Sequence, residues 1–274
     1  MPQSKQRVFI TGGASGLGLA FARQYAQRGA RVAIGDINID RLTEAKAELE
    51  ALGAAVIATE CDVRQVEQLE AVRDLLQEQW GGVDVVINNA GVATGGDIDS
   101  GSLDDWDWVI DINVMGVVRG CRVFTPIFRE QGSGQFINVA SAAGLLNPPG
   151  MGSYNVAKAG VVALSETLKV ELGRYGIGVT VACPAFFQTN LTESIRAPQP
   201  GMDKVINQLM SKSTLSADDV ASAVIRGAER GELVVAPHKL ERRMWLLKRF
   251  APDQYYKLIA KRFEKLARKM AKGA

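Results

Sequence analysis

The chain has 274 residues, 47% hydrophobic and 23% charged, proportions of an ordinary folded protein that exclude wholesale disorder, collagen-like repeats and a disulfide-stapled mini-domain. Its formal net charge of +2 hides an asymmetry: residues 239–274 hold twelve Lys or Arg against three Asp or Glu, leaving 20 against 27 in the rest of a chain whose totals are 32 and 30. A basic tail therefore follows an acidic body.

In chain order, the first predicted strand, residues 7–11, passes through Gly12, Gly13, Gly16 and Gly18 into a helix over 16–28, and a second strand, 31–35, leads to Asp36. Glycines let backbone approach a pyrophosphate, whose charge is favoured by free N–H groups and by the positive end of the helix dipole. A carboxylate at the end of the second strand accepts ribose hydroxyls and repels an extra phosphate, and no Lys or Arg immediately follows Asp36, so the expected cofactor is NAD in preference to NADP. The competing bland reading of Asp36 is a surface cap for the next helix.

Helices are expected over 40–52, 65–79, 103–130, 153–175 and 217–230, and strands over 54–59, 83–87, 135–139, 178–182 and 233–236. The strands are almost uniformly apolar, which requires burial on both faces and therefore helices above and below a parallel sheet. Alternating strand and helix then give one doubly wound α/β domain of about seven strands, residues 1–238. Residues 189–215, with Pro198, Pro200 and Gly201, form an excursion placed to act as a lid. Beyond 239, two helices separated by Pro252 are expected. Tyr256, Ile259, Phe263, Leu266 and Met270 recur at helical spacing among basic residues in this 239–274 extension.

Thr11-Gly12-x3-Gly16-x-Gly18, Asn88-Asn89-Ala90-Gly91, Asn113 within DINVMG, Ser141, and Tyr154-x3-Lys158 thirteen residues later occur in a familiar order. With them the chain resembles the short-chain dehydrogenase/reductase family over roughly residues 6–236. The resemblance implies a Rossmann-type fold and an oxidoreductase acting on a CH–OH group. It implies Asn113, Ser141, Tyr154 and Lys158 as catalytic residues. Cofactor contacts are implied from Thr11, Gly12, Ser15, Gly16, Leu17 and Gly18, from Asp36, Asp62 and Val63, from Asn89, Ala90 and Gly91, from Tyr154 and Lys158, and from Pro184 and Thr189. It also implies a homodimer or homotetramer built through the long helices. One position departs from the family pattern: Ala185 stands where Gly is usual after the sixth strand, and Ala fits only if its φ is negative.

These residue types suit hydride transfer. Oxidising an alcohol needs a hydride acceptor, supplied by NAD, and a base for the hydroxyl proton. A phenol with pKa near 10 is too weak a base at neutral pH unless a cation stabilises its phenolate. Tyr154 and Lys158, four residues apart, share a helix face, so the ammonium, together with the positive nicotinamide ring of the oxidised cofactor, is expected to draw the phenol down. Ser141 is expected to hold the substrate oxygen, and the resemblance assigns Asn113 to a proton relay. Taken singly, such residues are usually a half-exposed pair, a cap and polar filler.

Leu146, Met151, Phe186 and Phe187, together with Ser141 and Tyr154, are the expected substrate contacts, indicating an apolar or bulky alcohol or ketone. Leu145 and Met202 also flank the site; Trp106 and Trp108 are expected to pack at the start of the long helix, and His238 to lie at a surface or hinge. Cys61, Cys121 and Cys183 form no CxxC pair, which argues for reduced thiols and against zinc or any other metal site. No signal-like stretch or membrane-length apolar run occurs, so a cytoplasmic protein is expected. One basic helix does not make a nucleic-acid surface, and contact of the tail with a membrane surface is disfavoured against docking within the protein or oligomer. Two alternatives stand beside the NAD-dependent dehydrogenase: an NADPH-dependent ketoacyl-type reductase and a catalytically silent dinucleotide-binding regulator.

Overall fold

A computed structural model describes residues 5–187, 193, 195–196 and 213–271. Seven strands, β1 (Arg7–Thr11), β2 (Arg31–Asp36), β3 (Ala55–Glu60), β4 (Val85–Asn88), β5 (Gly134–Val139), β6 (Ile177–Ala182) and β7 (Val234–Val235), form one sheet in the order β3-β2-β1-β4-β5-β6-β7. Every pairing is parallel. The chain reverses its direction of travel across the sheet between β1 and β4, and a crevice at such a switch point is where open α/β sheets bind ligands.

The strand period divides the core. Val8 and Ile10 point to one face, packed with Phe21 of α1 (Gly16–Gln27), Leu42 of α2 (Ile39–Ala51) and a later helix. Phe9 points to the other, among Leu69 of α3 (Val66–Trp80), Phe124 and Val161. Its ring lies 5.3 Å from that of Phe124. All these side chains are buried, which explains why the strands read as continuous apolar runs.

Two features depart from the expected elements. The helix anticipated over 103–130 is interrupted: α4 (Leu103–Ile110) runs into a π-helical segment, Asp111–Met115, before α5 (Gly116–Gln131) resumes. A five-residue helix, α6 (Ala142–Leu146), follows β5 and precedes α7 (Gly152–Gly173). After α8 (Ala217–Glu229), the tail forms α9 (Lys239–Phe250) and α10 (Pro252–Ala271), split at Pro252 as expected. α9 packs against α6, and Trp245 reaches the core cluster that contains Phe9. Most of the expected lid, with Thr189 and Met202, lies outside the described residues.

Candidate active site

At the switch point the ends of β1 and β4 are stitched together by one side chain. Thr11 Oγ1 accepts from the N–H of Asn89 and of Ala90, at 3.0 and 3.1 Å, and donates to the Ile87 carbonyl at 3.4 Å. Asn89 Nδ2 returns donations to the carbonyls of Thr11 and Gly12, each at 3.0 Å. Between them Gly12 turns with φ +61°, and a Cβ on Gly18 would lie 2.0 Å from the Gly12 carbonyl oxygen. The first turn of α1 therefore sits directly against the loop. Ser15 makes no side-chain cap bond and that turn has no acidic residue, so the helix's own first turn supplies no anion to this end. Leu17 points its side chain into the core, leaving only its backbone for the turn. The cradle fits a diphosphate.

Asp36 ends β2 with its carboxylate folded back over this turn: Oδ2 accepts from the N–H of Ala14 at 3.2 Å, and Oδ1 from that of Asn38 at 3.1 Å. Arg41, five residues beyond Asp36, pairs with Glu193 at 2.7 Å. Asp62 pairs with Arg64 at 2.6 Å, and these bonds to Arg64 hold its carboxyl below the usual range. Val63 is buried, and its carbonyl accepts from Arg119 at 3.3 Å.

On the other side of the switch point, Asn113, Tyr154 and Lys158 are all buried. Asn113 sits in the π-helical segment; its Oδ1 accepts from the N–H of Val92 and its Nδ2 donates to the Val92 carbonyl, both at 2.8 Å. A Cβ on Gly91 would lie 3.0 Å from Asn113 Oδ1 and 3.4 Å from Lys158 Nζ, so all three residues meet at one point. Lys158 Nζ donates to the Val139 carbonyl at 3.0 Å and lies 5.8 Å from the centre of the Tyr154 ring, one helical turn away. Ser141 is the N-cap of α6. Its Oγ accepts from the N–H of Ala143 at 3.1 Å and donates to the Pro184 carbonyl at 3.4 Å.

Burial governs the charge states of both Tyr154 and Lys158. Burial pushes the Tyr154 phenol up to about 12, opposed by a hydrogen bond from Ser141, while burial pulls Lys158 down to about 8. Desolvation disfavours the charged form of each group, the phenolate and the ammonium alike. The protein thus holds Tyr154 protonated.

A family model described as short chain dehydrogenase matches residues 6–200. The chain belongs to the short-chain dehydrogenase family. It is an oxidoreductase of that family, acting on a CH–OH group with NAD(P). A C alpha-dehydrogenase of a Sphingobium species is 32% identical over 245 residues, covering 85% of this chain and 80% of the relative. A short-chain dehydrogenase/reductase from Burkholderia phymatum, solved in complex with NAD, superimposes with a TM-score of 0.86 at 33% identity, covering 93% of this chain and 96% of that one. A short-chain dehydrogenase from Sphingobium yanoikuyae, solved with NADPH, gives a TM-score of 0.75 at 27% identity over 96% and 95% of the two chains.

The remaining expected residues are spread around this centre. Met151 is half-buried beside the small cluster of Ala93, Val109, Ala143 and Tyr154, and Leu146 is half-buried at the end of α6. Phe187 is 6% exposed and packs into the core with Ala182 and Val220, whereas Phe186 is 37% exposed. Of the two, Phe186 is the one with surface to offer. Among the described residues only Asn147 is a non-glycine residue with positive φ, so Ala185 is accommodated without strain. Trp108 packs beside the Tyr154 cluster and carries the Arg196 guanidinium over its ring at 3.8 Å. His238 is half-buried at the junction of β7 and α9: its Nδ1 accepts from the N–H of Ala185 at 3.2 Å, and its Nε2 is buried without a partner in the fold. Among the described residues no group of His, Cys, Asp or Glu is placed to hold a metal.

Proposed function

We propose that the protein is an NAD-dependent dehydrogenase that interconverts a secondary alcohol and its ketone, with an apolar or bulky substrate. The observation that carries the reaction is the convergence of Tyr154, Lys158, Asn113 and Ser141 beside a glycine cradle. NAD supplies the acceptor for the hydride leaving the alcohol carbon. The cradle of Gly12, Gly16 and Gly18 holds its diphosphate, Asp36 takes the ribose hydroxyls, and Asp62, Val63 and Asn89–Gly91 line the rest. Ser141 Oγ holds the substrate oxygen against Tyr154, whose Oη, as the phenolate, takes the hydroxyl proton as the ketone forms. In reduction, the same phenol donates it.

Burial holds Tyr154 protonated, the form from which the acid role starts. Its basic role draws on positive charge in the cleft, that of the Lys158 ammonium together with that of the nicotinamide ring. Lys158 is protonated at neutral pH and passes protons towards Asn113. The preference for NAD rests on Asp36 and on the engagement of Arg41 by Glu193.

Two further parts of the reading concern its surroundings. A groove of about 770 Å³ between α5 and α7, lined by Val118, Pro126, Leu164 and Leu168, is the surface through which a homodimer or homotetramer would assemble. No helix of the described residues is long and apolar enough to cross a membrane, in keeping with a cytoplasmic enzyme. The test is a panel of secondary alcohols with NAD and NADP, followed by reduced-cofactor absorbance. Turnover with NAD that disappears in Tyr154→Phe supports the assignment. Undiminished turnover in that variant overturns it, and tighter binding of NADPH than NADH overturns the cofactor preference.

A further inference from the structure

The C-terminal helices take no direct part in this chemistry, yet three of their polar side chains reach the two segments flanking Ser141. His238, the residue before α9, takes the N–H of Ala185 at 3.2 Å. That segment is tied to the site because the Pro184 carbonyl accepts from the N–H of Ala142 at 2.8 Å as well as from Ser141. Lys248 of α9 donates to the Leu145 carbonyl at 2.8 Å and also to Asn147 Oδ1. Tyr255 of α10, only 1% exposed, donates its hydroxyl to the Leu146 carbonyl at 2.5 Å.

Leu145 and Leu146 form the last turn of α6, where carbonyls have no helical N–H to receive. The tail satisfies both. α6 has little freedom elsewhere: a Cβ on Gly144 would lie 2.6 Å from the backbone carbonyl of Lys158, so the helix rests directly on α7 at a site residue. Its N-cap is Ser141, and just past its other end Asn147 holds φ 51°. The short helix is thus gripped at three points, two of them residues of the proposed reaction.

We propose that Lys248 and Tyr255 are positioning residues, which with His238 brace α6 and the 183–187 segment so that Ser141 and the approach along 147–151 are set for substrate. The tail is then an outer wall of the substrate site and acts on orientation of the alcohol. The hydrogen bonds described for the three residues go to 145–147 and 185, and none to the glycine turn.

The kinetic part of this inference rests on the dehydrogenase reading; the structural part is separable. Tyr255→Phe, Lys248→Met and the double variant, each in the full chain, are compared with wild type by amide hydrogen exchange, NADH titration and steady-state kinetics on the best alcohol of the panel. Tyr255→Phe keeps the buried ring, so it is the variant that folds if the lysine change does not. The amides of Gly144 and Asn147, which bond to the carbonyls of Ser141 and Ala143, should exchange about tenfold faster. NADH affinity should stay within about twofold of wild type while KM for the alcohol rises about fivefold and kcat falls, and Lys248→Arg should recover most of the loss. Unchanged exchange at those amides in the double variant overturns the brace. So does NADH affinity that weakens by the same factor as KM, which signals general loosening. If the wild-type protein oxidises no alcohol, the dehydrogenase reading fails, and the exchange measurement still decides the brace.

Discussion

The same substitution at two helical glycines should have opposite consequences. In Gly18→Ala the new Cβ would lie 2.0 Å from the Gly12 carbonyl oxygen and 2.6 Å from Asn89 Nδ2. An ordinary contact needs about 3.4 Å, so the loop or α1 must give by more than about 1 Å, and the oxygen in the way is backbone already bound by Asn89. Overpacking of this kind costs roughly 1–3 kcal/mol, or about 2–12 °C in Tm for a chain of this size. The displaced part is the diphosphate cradle, so NADH affinity should fall by about a hundredfold or more. In Gly160→Ala, inside α7, the Cβ meets Val114 at 3.6 Å, an ordinary contact, and the helix should gain up to about 1 kcal/mol from the better helix former. Thermal melts and NADH fluorescence titrations on both variants decide the matter. A Gly18→Ala protein that binds NADH within twofold of wild type would refute the tight-cradle argument.

Other consequences follow from single side chains. Tyr154→Phe should lower kcat by about 10²–10⁴ with NADH affinity nearly unchanged, read by turnover and by direct titration. Lys158 titrates near 8 in the fold but near 10.4 when unfolded, so the unfolded chain holds more protons between these values, and the contribution of Lys158 to stability rises with pH there. Urea unfolding at pH 7.5 and 9.5 should show wild type gaining about 2 kcal/mol relative to Lys158→Met; an equal difference at both pH values would contradict a buried, discharged lysine. Asp36→Asn keeps one acceptor for the loop but removes the charge, and should move the NADPH-to-NADH affinity ratio toward NADPH by about tenfold. An unmoved ratio would mean that Asp36 does not face the ribose.

Much of this architecture is legible in the amino-acid order because it rests on local rules. The continuous apolar runs of β1, β2, β4 and β6 announce burial on both faces, and the glycines around Gly12 and Gly18 announce close backbone approach. What was illegible depends on through-space surroundings. The π-helical segment at Asp111–Met115 has no compositional mark; it is stabilised by what Asn113 meets at Val92. α6 is too short for its apolar residues to declare a period. The spacing of Tyr154 and Lys158 shows that they share a face, yet their charge states are set by a depth of burial that spacing does not encode. The basic stripe of the tail was readable, but not that Lys248 and Tyr255 leave it to serve α6.

The Thr11 hydroxyl has a consequence for how ligand arrives. Because it joins two strand ends to each other through bonds made within the chain, the receiving surface is held by the fold itself and leaves little to be organised on contact. Little ordering entropy is then charged against binding, and association should proceed in a single kinetic phase whose rate climbs linearly with dinucleotide concentration.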